Sequence, residues 1–220
     1  MISHLKNCIK YAETSGVKTR AISFPGFSSA LLNQIKKDSK KWDFVFTGHA
    51  TRMHKKRNKY LIDLANAYAN NHEIISAYFI GSENNVLPSD LPIKQSAPRW
   101  GIEMLQEIQR SRIVLNADND FAYEAGNSRL FEVTGIGSFL LTEYHPNIDE
   151  LFEPGVEIET FRDSNELIAK VNYYLAHPKE REAIARRGQE RCFKHHLIEN
   201  RVLKFDKVLL GHMKKYYHIV

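Results

Sequence analysis

Glu124 and Glu132 flank the run Ala125-Gly126-Asn127-Ser128-Arg129 and are separated by seven residues. From Asn127 onward, Leu130, Phe131, Val133 and Thr134 have the spacing of a short helix with one buried side, so the helix begins near Asn127 or Ser128. The open amides of such a helix start, with roughly half a positive charge, stabilise an anion such as a diphosphate. Arg129 would add a bidentate fork. Glu132 lies one turn inside the helix and Glu124 in the loop before it; ionised carboxylates are acceptors that suit sugar hydroxyls. The same residues also fit a plainer use. Arg129 and Glu132, three apart, suit a helix-surface ion pair worth about 0–1 kcal/mol, and Glu124 a solvated loop acid.

Two further groups carry candidate chemistry. Asp118-Asn119-Asp120 follows a strand-like run and has the spacing of a pair that could hold a divalent cation through oxygen ligands, although Asp and Asn are also common turn residues. Arg52, His54, Lys55, Lys56 and Arg57 follow Gly48, where a strand ends. One or two of these cations suit a phosphate; the others, from Arg57 onward, suit a solvated helix face. The aromatic interleaving of a single-strand nucleic-acid binder is missing. The chain also has no Walker A run, no G-x-G-x-x-G, no Cys/His metal cluster and no G-x-S-x-G elbow.

The elements that must position these residues follow from periodicity. The strands expected from residue 42 are 42–48, 75–81, 113–115, 138–142 and 156–161. Helices carrying Tyr60, Leu61 and Leu64, then Ile102, Leu105 and Ile108, then Leu130 to Thr134, lie between them. A loop holding Pro88, Pro92 and Pro98 is expected to be irregular and exposed. Gly135-Ile136-Gly137 ends the central helix, and 147–152 forms a short one. Ser164 caps the helix of Leu167 to Leu175 without a capping box, Pro178 opens the next helix, which Gly188 interrupts, and Val202 to Leu210 belong to the last. Strands alternating with helices pair in parallel, which implies one α/β domain, a doubly wound (Rossmann-like) sheet with helices on both faces. Ligands then bind at the carboxyl ends of the strands.

Before residue 42 the pattern is weaker. A helix over Ile2, Leu5, Ile9 and Ala12 ends at Gly16, Arg20 to Phe24 form a strand, and Phe27, Ala30, Leu31 and Ile35 suggest a second helix. The expected division is 1–41 as an N-terminal segment, 42–201 as the ligand-binding domain and 202–220 as a C-terminal helix.

Bulk properties narrow the class. The chain has 220 residues, 43% of them hydrophobic, and a net charge of +5 that favours anionic partners. No apolar run reaches the ~18–20 residues that span a membrane, and the first residues lack the apolar centre of a signal peptide. Cys8 and Cys192 form no disulfide framework; reduced thiols and a cytoplasmic location are expected.

Residues 127–196, NSRLFEVTGIGSFLLTEYHPNIDELFEPGVEIETFRDSNELIAKVNYYLAHPKEREAIARRGQERCFKHH, closely resemble the C-terminal half of GT-B glycosyltransferases, in particular the CgeB-like (spore maturation) branch. The resemblance rests on the A-G-N-x-R-L-F-E-x-T-G-x-G run that starts at Ala125, the ELFEPGVE segment and the ELIAKVNYYLAHP helix. WDFVFTG with its basic loop, and WGIEMLQEIQRSRIVLN, extend it over about 42–201.

The resemblance implies a GT-B C-terminal-type domain that binds a nucleoside-diphosphate sugar, with no cofactor and no metal, for transfer to a glycan, protein or lipid acceptor. Glu132, five residues before Gly137, takes the position that binds the ribose hydroxyls, and Glu124 by spacing the position near the sugar. Asn127, Ser128 and Arg129 fall in the matched run, and Gly48, Arg52 and Lys56 in the phosphate-side loop. None of these eight positions is assigned to bond making. A GT-B enzyme needs a second Rossmann-like domain, and residues 1–41 are too short to be one. A longer protein or a partner chain is therefore expected to supply it. Three other readings stay open: a non-catalytic nucleotide-sugar-binding or surface-assembly protein, a metal-dependent GT-A-like transferase using Asp118 and Asp120, and a UDP-sugar epimerase of related architecture.

Overall fold

A computed structural model describes residues 2–3, 6–21, 25–69, 77–80, 86–92, 94–120 and 123–217. Their strands are β1 (Ile2–Ser3), β2 (Arg20–Ala21), β3 (Trp42–Thr47), β4 (Ala77–Ile80), β5 (Lys94–Ser96), β6 (Ser111–Asn116), β7 (Phe139–Glu143) and β8 (Glu159–Phe161). The helices are α1 (Lys6–Thr14), α2 (Lys55–Ala67), α3 (Gly101–Gln109), α4 (Ser128–Ile136), α5 (Ser164–Ala176), α6 (Pro178–His195) and α7 (Ile198–Tyr217).

β1 and β2 form a small parallel pair, and the other strands make one six-stranded sheet in the order β5-β4-β3-β6-β7-β8, with every pairing parallel. Order runs outward in both directions from β3 and β6, so the topological switch point lies between these two strands. Every residue of β3 and β7 is buried, as a parallel sheet covered on both faces requires. Alternation divides the core. Phe44, Phe46, Ile113, Leu115, Phe139 and Leu141 pack with Tyr60 and Leu64 of α2 and Leu167, Val171 and Tyr174 of α5. Val45, Val114 and Leu140 pack with Leu105 and Ile108 of α3, Leu130, Phe131 and Val133 of α4, and Cys192 of α6. Cys192 is a buried free thiol, pushed up to about 11 by burial; the Cys8 side chain lies outside the described residues.

Several local expectations change. The proline loop holds β5, a sixth strand: Lys94-Gln95-Ser96 is an edge strand paired only to β4, so it needs no apolar alternation. Residues 29–34 form two turns of 3-10 helix and residues 148–150 a single turn. Of the strand expected at 20–24, only Arg20–Ala21 is paired, and residues 22–24 lie outside the described residues, as do 75, 76 and 81. Asp163, not Ser164, caps α5: its carboxylate accepts from the Glu166 amide at 2.9 Å, and Glu166 reaches back to the Arg162 amide at 2.8 Å. The acid is then three residues from the cap, the spacing of a capping box, although it closes on the residue before the cap. Gly188 does not interrupt α6. A Cβ there would lie 2.3 Å from the Glu157 carbonyl oxygen, so glycine admits a close crossing.

The segment before β3 packs on the sheet domain. Phe27 is buried and pairs through its backbone with both His196 (N–H to O, 3.0 Å) and Ile198 (O from N–H, 2.9 Å). Its ring lies on α4, where a Cβ on Gly135 would be 2.2 Å from Phe27 Cγ. Ser28 and Ser29 hydroxyls donate to the Glu199 carboxylate at 3.0 and 3.2 Å. His196 sits between Phe131 and Phe152, donates from Nε2 to the Leu151 carbonyl at 2.8 Å and accepts on Nδ1 from Arg201 at 2.8 Å. Burial, and then Arg201, push its pKa down to about 4.

Two predictions follow from this packing. Gly135→Ala should cost about 1–3 kcal/mol through overpacking against Phe27, while Gly211→Ala, in α7 with nothing within 4 Å of the added Cβ, should stabilise by about 0.5–1 kcal/mol. Urea unfolding of both variants reads this, and equal midpoints would refute it. His196 has a folded pKa below its unfolded value, so the folded state loses stability as pH falls from about 6.5 towards about 4. The loss, at most about 3 kcal/mol, should be smaller in His196→Gln when unfolding is measured at both ends of that window.

Candidate functional site

A cavity of about 600 Å³ opens at the switch point, between the ends of β3 and β6 and the amino ends of α3 and α4. Its walls include Phe46, Thr47 and Gly48 from the end of β3, Asn116 and Ala117 from β6, Gly101, Ile102, Met104 and Leu105 from α3, and Asn127, Ser128, Arg129 and Glu132 around the start of α4. Leu31 and Gln34 close it from the segment before β3.

α4 starts where Asn127 can serve both sides of its amide. Asn127 Oδ1 accepts from the Leu130 amide at 3.3 Å, while Nδ2 donates to Asn116 Oδ1 at 3.0 Å and to Asp118 Oδ1. The Ser128 and Arg129 amides, the first two of the helix, have no intrahelical partner, and both residues line the cavity. The helix stops at Gly137, in the left-handed region at φ 78°, where Gly137 and Ser138 amides donate to Thr134 and Val133 carbonyls at 2.9 and 3.0 Å in the Schellman pattern.

Arg129 Nη1 donates to Glu132 Oε2 at 2.7 Å, and Nη2 lies 3.4 Å from the Thr47 carbonyl oxygen. Burial pushes the guanidinium below its ordinary value and Glu132 pulls it back. The two residues form the ion pair read from the sequence, and both line the cavity. Thr47 adds a buried hydroxyl with no hydrogen-bond partner among the described residues.

Five of the eight sequence candidates, Gly48, Asn127, Ser128, Arg129 and Glu132, line this one cavity; Arg52, Lys56 and Glu124 do not. Lys56 forms an ion pair with Glu143 at the end of β7. Arg52 is exposed and Glu124 half-buried in the loop before α4. Asp118 and Asp120 are engaged separately. Asp118 lies against His145 (Nε2 to Oδ2, 2.9 Å), whereas Asp120 accepts from the Lys56 amide at 3.1 Å and closes the amino end of α2. Among the described residues no group of three or more His, Cys, Asp or Glu side chains converges as a metal site.

Arg57 corrects the expectation of a solvated helix face. It is 8% exposed and lines the cavity, donating to Ala117 O at 2.9 Å, His49 O at 2.7 Å and Asn119 Oδ1 at 3.0 Å. It thereby clasps the loops leaving β3 and β6. Trp100 was also missed. It is 69% exposed yet lines the cavity, with its ring 6.1 Å from that of His49. The basic run masked Arg57; for Trp100, the position just before a helix start at a strand-end loop was a usable signal.

A family model described as glycosyl transferase-like matches residues 29–207. The chain belongs to this glycosyl transferase-like family. Among curated protein sequences none matches it. The fold of this glycosyl transferase-like chain recurs in solved structures of low sequence identity. HepE from Anabaena in complex with UDP-glucose superposes with a TM-score of 0.70 at 17% identity, over 96% of this chain and 63% of that one. Sucrose-phosphate synthase from Thermosynechococcus elongatus gives 0.68 at 13%, over 97% and 58%. The C-terminal domain of a group 1 glycosyl transferase (LpcC) from Francisella tularensis gives 0.54 at 13%, over 78% and 95%. The chain thus spans about three fifths of the first two and nearly all of an isolated C-terminal domain. The doubly wound fold is the GT-B type that the sequence resemblance implied. Among the described residues no helix is long and apolar enough to cross a membrane.

Arg57→Ala should destabilise the protein by about 2–4 kcal/mol, because three acceptors lose a charged donor and two are carbonyls at the sheet's switch point. Chemical denaturation checks this, and a loss below about 0.5 kcal/mol, the range of ordinary surface substitutions, would return Arg57 to the solvated face.

Proposed function

We propose that this chain is the donor-binding domain of a CgeB-like glycosyltransferase, taking a nucleoside-diphosphate sugar and acting with a second domain that presents the acceptor. The observation that carries it is the meeting, in one cavity at the switch point, of the open amides of α4, the Arg129 guanidinium and the Glu132 carboxylate. Support also comes from the UDP-glucose held by HepE, which shares the fold.

In this reading the Ser128 and Arg129 amides and the Arg129 side chain take the diphosphate. As the glycosidic bond to the leaving group breaks, negative charge grows on the diphosphate, and preorganised donors with a helix dipole stabilise it most at that moment. Glu132 keeps an oxygen, Oε1, for the ribose hydroxyls while Oε2 holds Arg129. The apolar wall of Phe46, Ile102 and Leu105 and the Trp100 ring suit the flat base. The chemistry asks for no resident cofactor or metal in this scheme, and the proposed site of action is the cytoplasm, where nucleotide sugars are the donors.

A thermal-shift screen of nucleoside diphosphates and their sugars tests the proposal: a true ligand at 100 times its Kd stabilises by about 2.7 kcal/mol. Arg129→Ala should weaken binding of both inorganic pyrophosphate and the nucleoside diphosphate by tenfold or more, the cost of about one charge-assisted hydrogen bond. Glu132→Gln should weaken the nucleoside diphosphate but not pyrophosphate. If neither probe binds the wild type, or if both variants bind as it does, the donor reading fails.

A further inference from the structure

The loop that leaves β7 grips the loop leading into α4 at two places. Asn147 pairs with both backbone groups of Ala125, accepting from its N–H at 2.8 Å and donating to its carbonyl at 2.9 Å. His145, 5% exposed, places Nε2 2.9 Å from Asp118 Oδ2 as an ion pair, and neither atom has a hydrogen-bond partner among the described residues. Asp118 Oδ1 in turn accepts from Nδ2 of Asn127, the residue that caps α4. Two side chains therefore connect His145 to the cavity wall.

Charge gives this connection a second role. A buried carboxylate next to the amino end of α4 repels an anion bound there. The acids acting on His145 are Asp118 and Glu143, and the cation is Lys56; at the start of α4 itself Arg129 and Glu132 pair with each other. Lys56 is paired with Glu143, Asp120 caps α2, and the Asp118 amide donates to Glu143 at 3.3 Å. Two carboxylates against one fixed cation leave one negative charge, which a protonated His145 cancels.

We propose that His145 is a positioning residue for the donor: it holds Asp118 so that Asn127 keeps the amino end of α4 open to the diphosphate, and it neutralises the carboxylate behind that site. This rests on the donor-domain reading above. The Asp118 carboxylate beside it raises the imidazole's pKa above its ordinary value, with burial opposing and Glu143 assisting. A raised pKa means that the charge is present at low pH and lost as pH rises through it, so donor affinity is greatest on the acid side.

The test is calorimetric titration with UDP-glucose, whose diphosphate carries a constant charge across the neutral range, from about pH 5.5 to about pH 8.5, the span over which an imidazole titrates. Wild-type affinity should fall about tenfold over that range, as one unit charge at close range predicts. His145→Gln should bind about tenfold more weakly on the acid side and show no pH slope. Adding Asp118→Asn should restore most of the affinity, since the amide still accepts from Asn127 while the charge in need of a partner is gone. A residue that only filled space would show no such rescue. If His145→Gln does not fold, Asp118→Asn alone decides: a flattened slope supports the assignment and an unchanged slope overturns it. A His145→Gln protein with wild-type affinity and slope would overturn this inference and leave the donor reading standing. A wild type that binds neither UDP-glucose, nor UDP, GDP or ADP, nor pyrophosphate would overturn both.

Discussion

The hydrogen bonds of one amide, Asn127, set the position of everything that faces the cavity. Its oxygen takes the Leu130 N–H, and its nitrogen donates to Asn116 at the end of β6 and to Asp118 beyond it. Serine or aspartate would cap the helix as well as asparagine, but neither offers two donors to the sheet side. Aspartate would also set a second carboxylate against Asp118. The choice of asparagine thus joins a helix end to a strand end, and the orientation of the Ser128 and Arg129 amides follows from that junction.

α4 has only nine residues and would not hold its shape alone. It is fixed at both ends by different physics. At the amino end the restraint is polar, through Asn127. At the carboxyl end it is steric: Phe27 lies against Gly135 with no room for a Cβ, Gly137 turns the chain left-handed, and Gln189 donates to the Gly135 carbonyl at 2.9 Å. Of the two uses open in the sequence for Arg129 and Glu132, the ion pair is present, and it stands on the cavity wall. A partly desolvated guanidinium needs a counter-charge before any ligand arrives, and Glu132 supplies it with one oxygen to spare.

Much of the fold was legible because parallel strands buried on both faces read as apolar runs, and β3, β6 and β7 did so without ambiguity. The central helix was legible for a separate reason, since its stop signal is a glycine whose positive φ other residues resist. Polar edges were not legible. β5 is Lys94-Gln95-Ser96, held by one neighbour, and nothing in its side chains distinguishes it from loop. At the site, residues on α4 were placed by helical spacing, but Arg57 was lost among the cations around it. Only three-dimensional closure of the β3 and β6 loops shows which cation of the run turns inward. The distribution of the acids was hidden for the same reason: Asp118 and Asp120 are two residues apart in sequence, yet one faces a histidine beyond β7 and the other a helix start beyond β3.

Particular contacts cross the expected boundary near residue 41. Composition changes there, but Phe27 is buried among the core residues, and Leu31 and Gln34 form part of the cavity wall. The segment before β3 therefore acts twice on the same helix, holding α4 from behind through Gly135 and closing the space in front of its amino end. A change that loosened Phe27 would reach the cavity by both routes, through the tilt of α4 and through the wall that Leu31 provides. This coupling runs chiefly through close packing, which transmits strain, whereas the restraint at Asn127 is polar.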